Sequence, residues 1–274
     1  WEPKGIDFSR LLKDKRINKV WRKFSMESLI RFTSKINSES NFGDRFNPYS
    51  GSIHQNNLIA FQKNLNQQLF FNRAFPTFEW SLQYLEVANQ LLLISGIEKR
   101  NKKEINLKGR WTMWSKLDLL TTVSTQYTEK NTEFYSLQNF SIQTNSIDFS
   151  TNYRMKRDIR IQIGIKNKNA FELNNAMESA KIQDYYMVSQ CVFKRKLSFR
   201  AEFKYISIVY QGATGSAVEF TMLDGLKNGN NYTGEIVIDY RFSKLVSSQF
   251  SFALRKASGS DPINTGRASI RANF

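Results

Sequence analysis

The chain reads as an all-β protein, an antiparallel transmembrane β-barrel of about 12–14 strands with short periplasmic turns and longer extracellular loops. Three observations predict this: an apolar/polar alternation of period two along most of the chain, charged turns that recur between such segments, and a dense, mostly basic polar set on the alternate positions. Composition is compatible: the chain has 274 residues, 14% aromatics and only four prolines, so few strand ladders are interrupted.

The first 22 residues stand apart. Ile6, Leu11, Leu12 and Val20 fall in loose helical register, and residues 1–22 are expected to form an amino-terminal segment in the periplasm or in the barrel lumen, with 23–274 as the barrel. The alternation starts with Phe24, Met26, Ile30 and Phe32 against Ser25, Glu27 and Arg31. It continues with Ile59, Phe61, Leu65, Leu69 and Phe71, then with Phe78, Trp80, Leu82 and Tyr84. Ile105, Leu107, Gly109, Trp111 and Met113 follow, and then Leu117 to Tyr127. In "DFSTNYRMKRDIRIQIGIK" (148–166), two alternating segments flank a short basic turn. Further segments are Leu197 to Tyr205, Tyr232 to Phe242, and Ala268 to Phe274.

The tight connections are Ser115-Lys116, Lys156-Arg157-Asp158, Lys194-Arg195-Lys196 and Ser243-Lys244; longer polar connections are expected at 129–133, 167–180, 211–230 and 256–264. In a soluble β-sandwich the apolar face would fill a core; in a membrane barrel it would meet lipid. Both layouts fit one strand. The ensemble favours the barrel, because Tyr and Trp gather near segment ends, where amphipathic rings form interfacial girdles. On that reading Ile159, Ile161, Ile163, Ile165, Phe199, Phe203, Ile236 and Ile238 face lipid, and Lys108, Arg110, Arg154 and Arg160 face the lumen.

Forty Lys and Arg against 24 Asp and Glu give a formal charge of +16, which points to an anionic partner. Lysines and arginines at 99, 100, 102 and 103 are placed to meet lipopolysaccharide phosphates, whereas the basic–aromatic run 192–205 is read as barrel strand, with no nucleic-acid partner. No catalytic, cofactor or metal site is expected. His54 is the only histidine, Cys191 the only cysteine, and "GATGS" (212–216) lacks both the Gly-Lys-Ser/Thr ending of a phosphate loop and a helical pattern after it, so it reads as a flexible loop.

The motifs "FNPYS" (46–50), "FFNR" (70–73), "EFTMLDGLKNGNNYTGEIVIDYRFS" (219–243) and "NTGRASIRANF" (264–274) resemble the carboxy-terminal barrel segment of large, poorly characterised outer-membrane proteins of the Bacteroidota. The resemblance implies an outer membrane of a Gram-negative, Bacteroidota-like bacterium, a periplasmic carboxy terminus and a longer parent chain. Gly234 departs from the family's usual Trp. Phe274 corresponds to the terminal aromatic presented to the barrel assembly machinery. The expected role is a transport or translocation pore, or a subunit of an envelope assembly with other proteins; the alternative is a non-conducting barrel that anchors or scaffolds other domains.

Overall fold

The computed structural model describes residues 23–36, 58–73, 77–93, 96–156, 158–174, 178–194, 196–243 and 245–272. The amino-terminal segment 1–22, His54 and Phe274 lie outside the described residues. Twelve strands follow one another in a single antiparallel sheet: β1 (Phe24–Ile36), β2 (Leu58–Phe71), β3 (Phe78–Leu93), β4 (Gly96–Met113), β5 (Leu117–Thr132), β6 (Phe140–Lys156), β7 (Ile159–Glu172), β8 (Ser179–Phe193), β9 (Leu197–Gln211), β10 (Gly229–Arg241), β11 (Val246–Lys256) and β12 (Ile263–Ala272). Each strand pairs with its neighbours in sequence. Among the described residues β1 and β12 have one partner strand each, and no pairing between them closes the sheet.

The connections alternate in length. After β2, β4, β6, β8 and β10 they take 6, 3, 2, 3 and 4 residues, all at one end of the sheet. These short turns use strained residues to reverse direction: Asn72, Trp114 and Lys194 adopt positive φ of 63°, 51° and 48°. After the Arg154–Arg160 pair the register slips by one residue, so the basic turn between β6 and β7 closes on a bulge. At the opposite end the connections after β1, β5, β7, β9 and β11 take 21, 7, 6, 17 and 6 residues; β3 and β4 are only two residues apart there. The expected loops at 129–133 and 167–180 are shorter than the sequence suggested. Polar residues 129–132 continue β5, and 167–172 continue β7, because ladder pairing extends past the point where the apolar alternation stops.

On β6–β9 the two faces of this sheet exchange character along the strands. Near the short-turn end, one face carries Ile105, Leu107 and Trp111 of β4, Ile147 and Phe149 of β6, Ile163 and Ile165 of β7, and Phe203 and Tyr205 of β9. These apolar side chains are exposed: Ile163 is 58% and Phe203 50% accessible. The opposite face of the same segments carries Arg110, Asp148, Gln162, Tyr186 and Glu202. Towards the loop end of β6–β9 the assignment reverses. The first face turns polar, with Asn145, Asn167, Gln183 and Ser207, while the second collects Phe140, Ile142, Ala170, Ala180, Ile182, Ile206, Ile208 and Tyr210 in a buried cluster.

That cluster is completed by the 17-residue connection after β9, which folds onto the second face and forms a short helix, α1 (Ala217–Met222). Val218, Met222 and Leu223 pack into the cluster, and the register partners Ala170 and Ala180 leave room for them. Lys168 holds the exit of α1, donating to the Met222 carbonyl at 3.2 Å and pairing with Asp224 at 3.1 Å. Asn231, fully buried, donates to the carbonyls of Lys227 and Gly229 and accepts from the amides of Lys227 and Ser258. Each polar group of the amide therefore has a partner, as burial requires.

The expectation that 212–216 begins a flexible loop without a helix is corrected here. Ser216 caps α1, its hydroxyl accepting from the Glu219 amide at 2.9 Å, and the Glu219 carboxylate reaches back to the Gly215 amide at 2.6 Å. This satisfies one of the donors that the helix start leaves open and the amide of the residue before the cap. Tyr210 secures the same loop, donating to Glu178 at 2.7 Å.

Candidate functional site

The charged face of the sheet brings ionisable side chains of several strands together. Lys108, Arg110, Arg154 and Arg160 all lie on it. Arg110 bridges to Glu79 across β3 and β4 at 2.9 Å. Arg154 contacts both oxygens of Asp118 at 3.2 Å, and Asp118 also accepts from Thr112 at 2.7 Å. Arg160 stands directly opposite Arg154, and Lys108 lies between Ser81 and Thr122; neither makes an ion pair among the described residues. Farther along, Glu202 takes both Arg200 and Lys204, at 2.8 and 2.6 Å.

The centre of this face is a groove of about 450 Å³ bordered by Lys108, Arg110, Asp148, Ser150, Gln162 and Tyr186. Tyr186 shapes its floor. From β8 the ring lies across Gly164 of β7, so that its hydroxyl donates to Asp148 of β6 at 2.8 Å. A Cβ at Gly164 would sit 2.3 Å from the Tyr186 ring, so any side chain there would have to push the ring aside. Three strands are thus tied by one side chain. Gln162 donates to Ser150 at 3.1 Å, and Ser124 and Ser146 are 2.7 Å apart. Sequence reading could not find this triad, because its members are 16 and 22 residues apart and meet only through strand register.

The other face has a different logic. Ile159, Ile161, Ile163, Ile165, Phe199, Phe203, Ile236 and Ile238 all lie on it, as does Cys191 opposite Ile159 and Phe199. Between the short turns and the level of Tyr84, Tyr127, Tyr185, Tyr205 and Tyr232, no described strand places a charged residue on this face. Rings mark both limits. Phe24, Phe71 and Trp80 stack at the turn end with centroids 4.9 and 5.7 Å apart, and Tyr185, Tyr205 and Tyr232 line up at the upper limit at 6.1 and 5.3 Å. The first outward charges appear just above it, with Lys63, Glu86, Lys99, Lys103, Glu129 and Lys181.

This divides the basic run at 99–103, which the sequence suggested as one cluster. Lys99 and Lys103 point outward, whereas Arg100 and Lys102 sit on the charged face, paired with Glu98 and Glu104. Alternation of side chains along a strand makes this split unavoidable. Among the described residues no group of three or more His, Cys, Asp or Glu is placed to hold a metal.

A long antiparallel meander with exposed apolar and crowded polar faces, short turns at one end and ringed boundaries is the sheet of an outer-membrane β-barrel protein. Solved structures agree at the level of fold. The chain is similar to the ferric-catecholate import receptor Fiu from E. coli K12, with TM-score 0.56 and 7% identity over 92% of this chain and 53% of that one. It is similar also to the ferric yersiniabactin uptake receptor FyuA from Yersinia pestis, with TM-score 0.50 and 12% identity over 92% of this chain and 47% of that one. The chain therefore spans about half the length of these receptors. No protein-family model and no curated protein sequence matches it.

Proposed function

We propose that these twelve strands form the membrane-spanning arc of a barrel in a Gram-negative outer membrane, with the uncharged face in lipid and the charged face lining the lumen of a transport or translocation pore. The exchange of faces along β6–β9, above an outward band that is uncharged on every described strand, carries this reading. A sheet in water on both ends of its strands has no reason to move its apolar side chains from one face to the other. A sheet crossing a bilayer does: within hydrocarbon the outside must be apolar, and above it the outside meets water, so the apolar side chains turn inward. The segment of β9 whose outward side chains are uncharged, Leu197 to Tyr205, is nine residues long. At about 3.3 Å per residue and a tilt of about 40° it rises about 20–25 Å, which matches the apolar band of such barrels.

An unpaired strand edge is untenable in hydrocarbon, because its amides and carbonyls have no other partner. Strands other than these twelve therefore close the barrel, which accords with the likeness to about half of two longer receptors. The groove on the lumen face favours passage. The second reading, a barrel that anchors or scaffolds without conducting, is favoured by one feature: α1 lies over the lumen face at the loop end.

The test is heat-modifiable gel mobility of the protein extracted from outer membranes, followed by single-channel recording in planar bilayers. Steps of stable conductance would support the pore. A folded, heat-modifiable protein without conductance would leave the anchor, and release from membranes without detergent would overturn the membrane reading. Ile161→Asp places a carboxylate in the uncharged band, at a cost below about 4 kcal/mol depending on depth. It should sharply reduce the heat-modifiable fraction; normal assembly of that variant would refute the face assignment.

A further inference from the structure

The positive charge of the lumen face is neutralised unevenly. On β3–β9, seven cation–carboxylate pairs join strand residues of this face, from Arg110–Glu79 to Lys204–Glu202, while β10, β11 and β12 make none among the described residues. Yet these three strands carry Arg241, Arg267 and Arg271 on the charged face. Arg241 and Arg271 flank Ser247 in one row across β10, β11 and β12. At about 4.8 Å per strand their Cα atoms stand about 10 Å apart, within reach of one anion between them. The next row holds Ser198, Asp239, Gln249 and Ser269. Together these rows line a cleft of about 440 Å³ at the short-turn end, and the exposed Lys196 stands at its rim.

We infer that this cleft is an anion site at the turn-end mouth of the lumen, where Arg241 and Arg271 grip a small molecule bearing several phosphate or carboxylate groups. Guanidinium forks bind both oxyanions in the same two-pronged way, so the shared chemistry defines the ligand class. Ser247, Ser269 and Gln249 supply the neutral donors that orient it. Asp239 is the one carboxylate of the lining, and neither arginine pairs with it. It sets an upper limit on affinity by repulsion, leaving a site that fills and releases, as passage through a pore requires. The site rests on the reading of the charged face as a wetted lumen, but its test is independent of conductance.

The test is calorimetric titration of the detergent-solubilised full chain with inorganic phosphate and, separately, citrate, at low ionic strength. Saturable binding of either is expected. Arg241→Gln with Arg271→Gln should weaken it by tenfold or more, and Asp239→Asn should tighten it several-fold, whereas Lys181→Gln, outside the cleft, should leave it unchanged. Preference for phosphate over citrate, or the reverse, identifies the ligand class. No saturable heat with either anion, or equal affinity in the double arginine variant, overturns the site. Heat-modifiable mobility of the same samples shows whether the barrel itself is folded.

Discussion

At the scale of single residues, Gly164 leaves the space that a neighbouring ring occupies. The Tyr186 ring lies where its Cβ would be, and only that position lets the hydroxyl reach Asp148. Gly164→Val should therefore lift the ring, break the hydrogen bond and leave Asp148 without its donor, at about 1–3 kcal/mol. Chemical unfolding in detergent would measure it, with Tyr186→Phe as the milder reference. A loss no larger than that of Tyr186→Phe would mean the ring is not displaced. None of this was legible in the sequence. Period two assigns Gly164, Tyr186 and Asp148 to the same face, but only register brings residues of three strands together. The outward isoleucines, by contrast, could be read directly, because alternation alone decides their face.

At the scale of elements, α1 is held by its cap more than by its length, since six residues cannot sustain a helix alone. Ser216→Ala removes the hydroxyl that accepts from Glu219, and should cost about 0.5–2 kcal/mol locally. The expected readout is faster proteolysis between residues 212 and 228 with unchanged heat-modifiable mobility; unchanged proteolysis would show that the Met222 and Leu223 contacts suffice. The helix was missed in the sequence because a Ser-x-x-Glu cap over six residues leaves no periodicity to detect. The strands were legible where alternation was strong, and their loop ends were not, because the apolar pattern changes face there while backbone pairing continues.

At the scale of the whole molecule, number and direction of strands were readable but closure was not: alternation reports which way side chains point, never how sharply a sheet curves. Closure by strands other than these twelve predicts that β1 and β12 of one chain are not neighbours. In a Cys191→Ser background, a cysteine at Ser28 combined in turn with one at Asn264, Gly266, Ala268 or Ile270 should form no intramolecular disulfide. Cysteines at the register partners Ser248 and Ile270 should form one. A bond from Ser28 would show a twelve-stranded barrel closing on itself.

The exchange of faces also acts as a depth gauge. Because hydrophobicity reverses at the tyrosine level on β6–β9, a shift along the membrane normal in either direction is penalised twice there: once for the side chains that leave their solvent on the outside, and again for the polar or charged ones that enter the wrong one. The sheet cannot ride higher or lower to suit a thicker or thinner bilayer. Where thickness does not match, the lipids rather than the protein must adjust, and the protein will settle preferentially where they already fit.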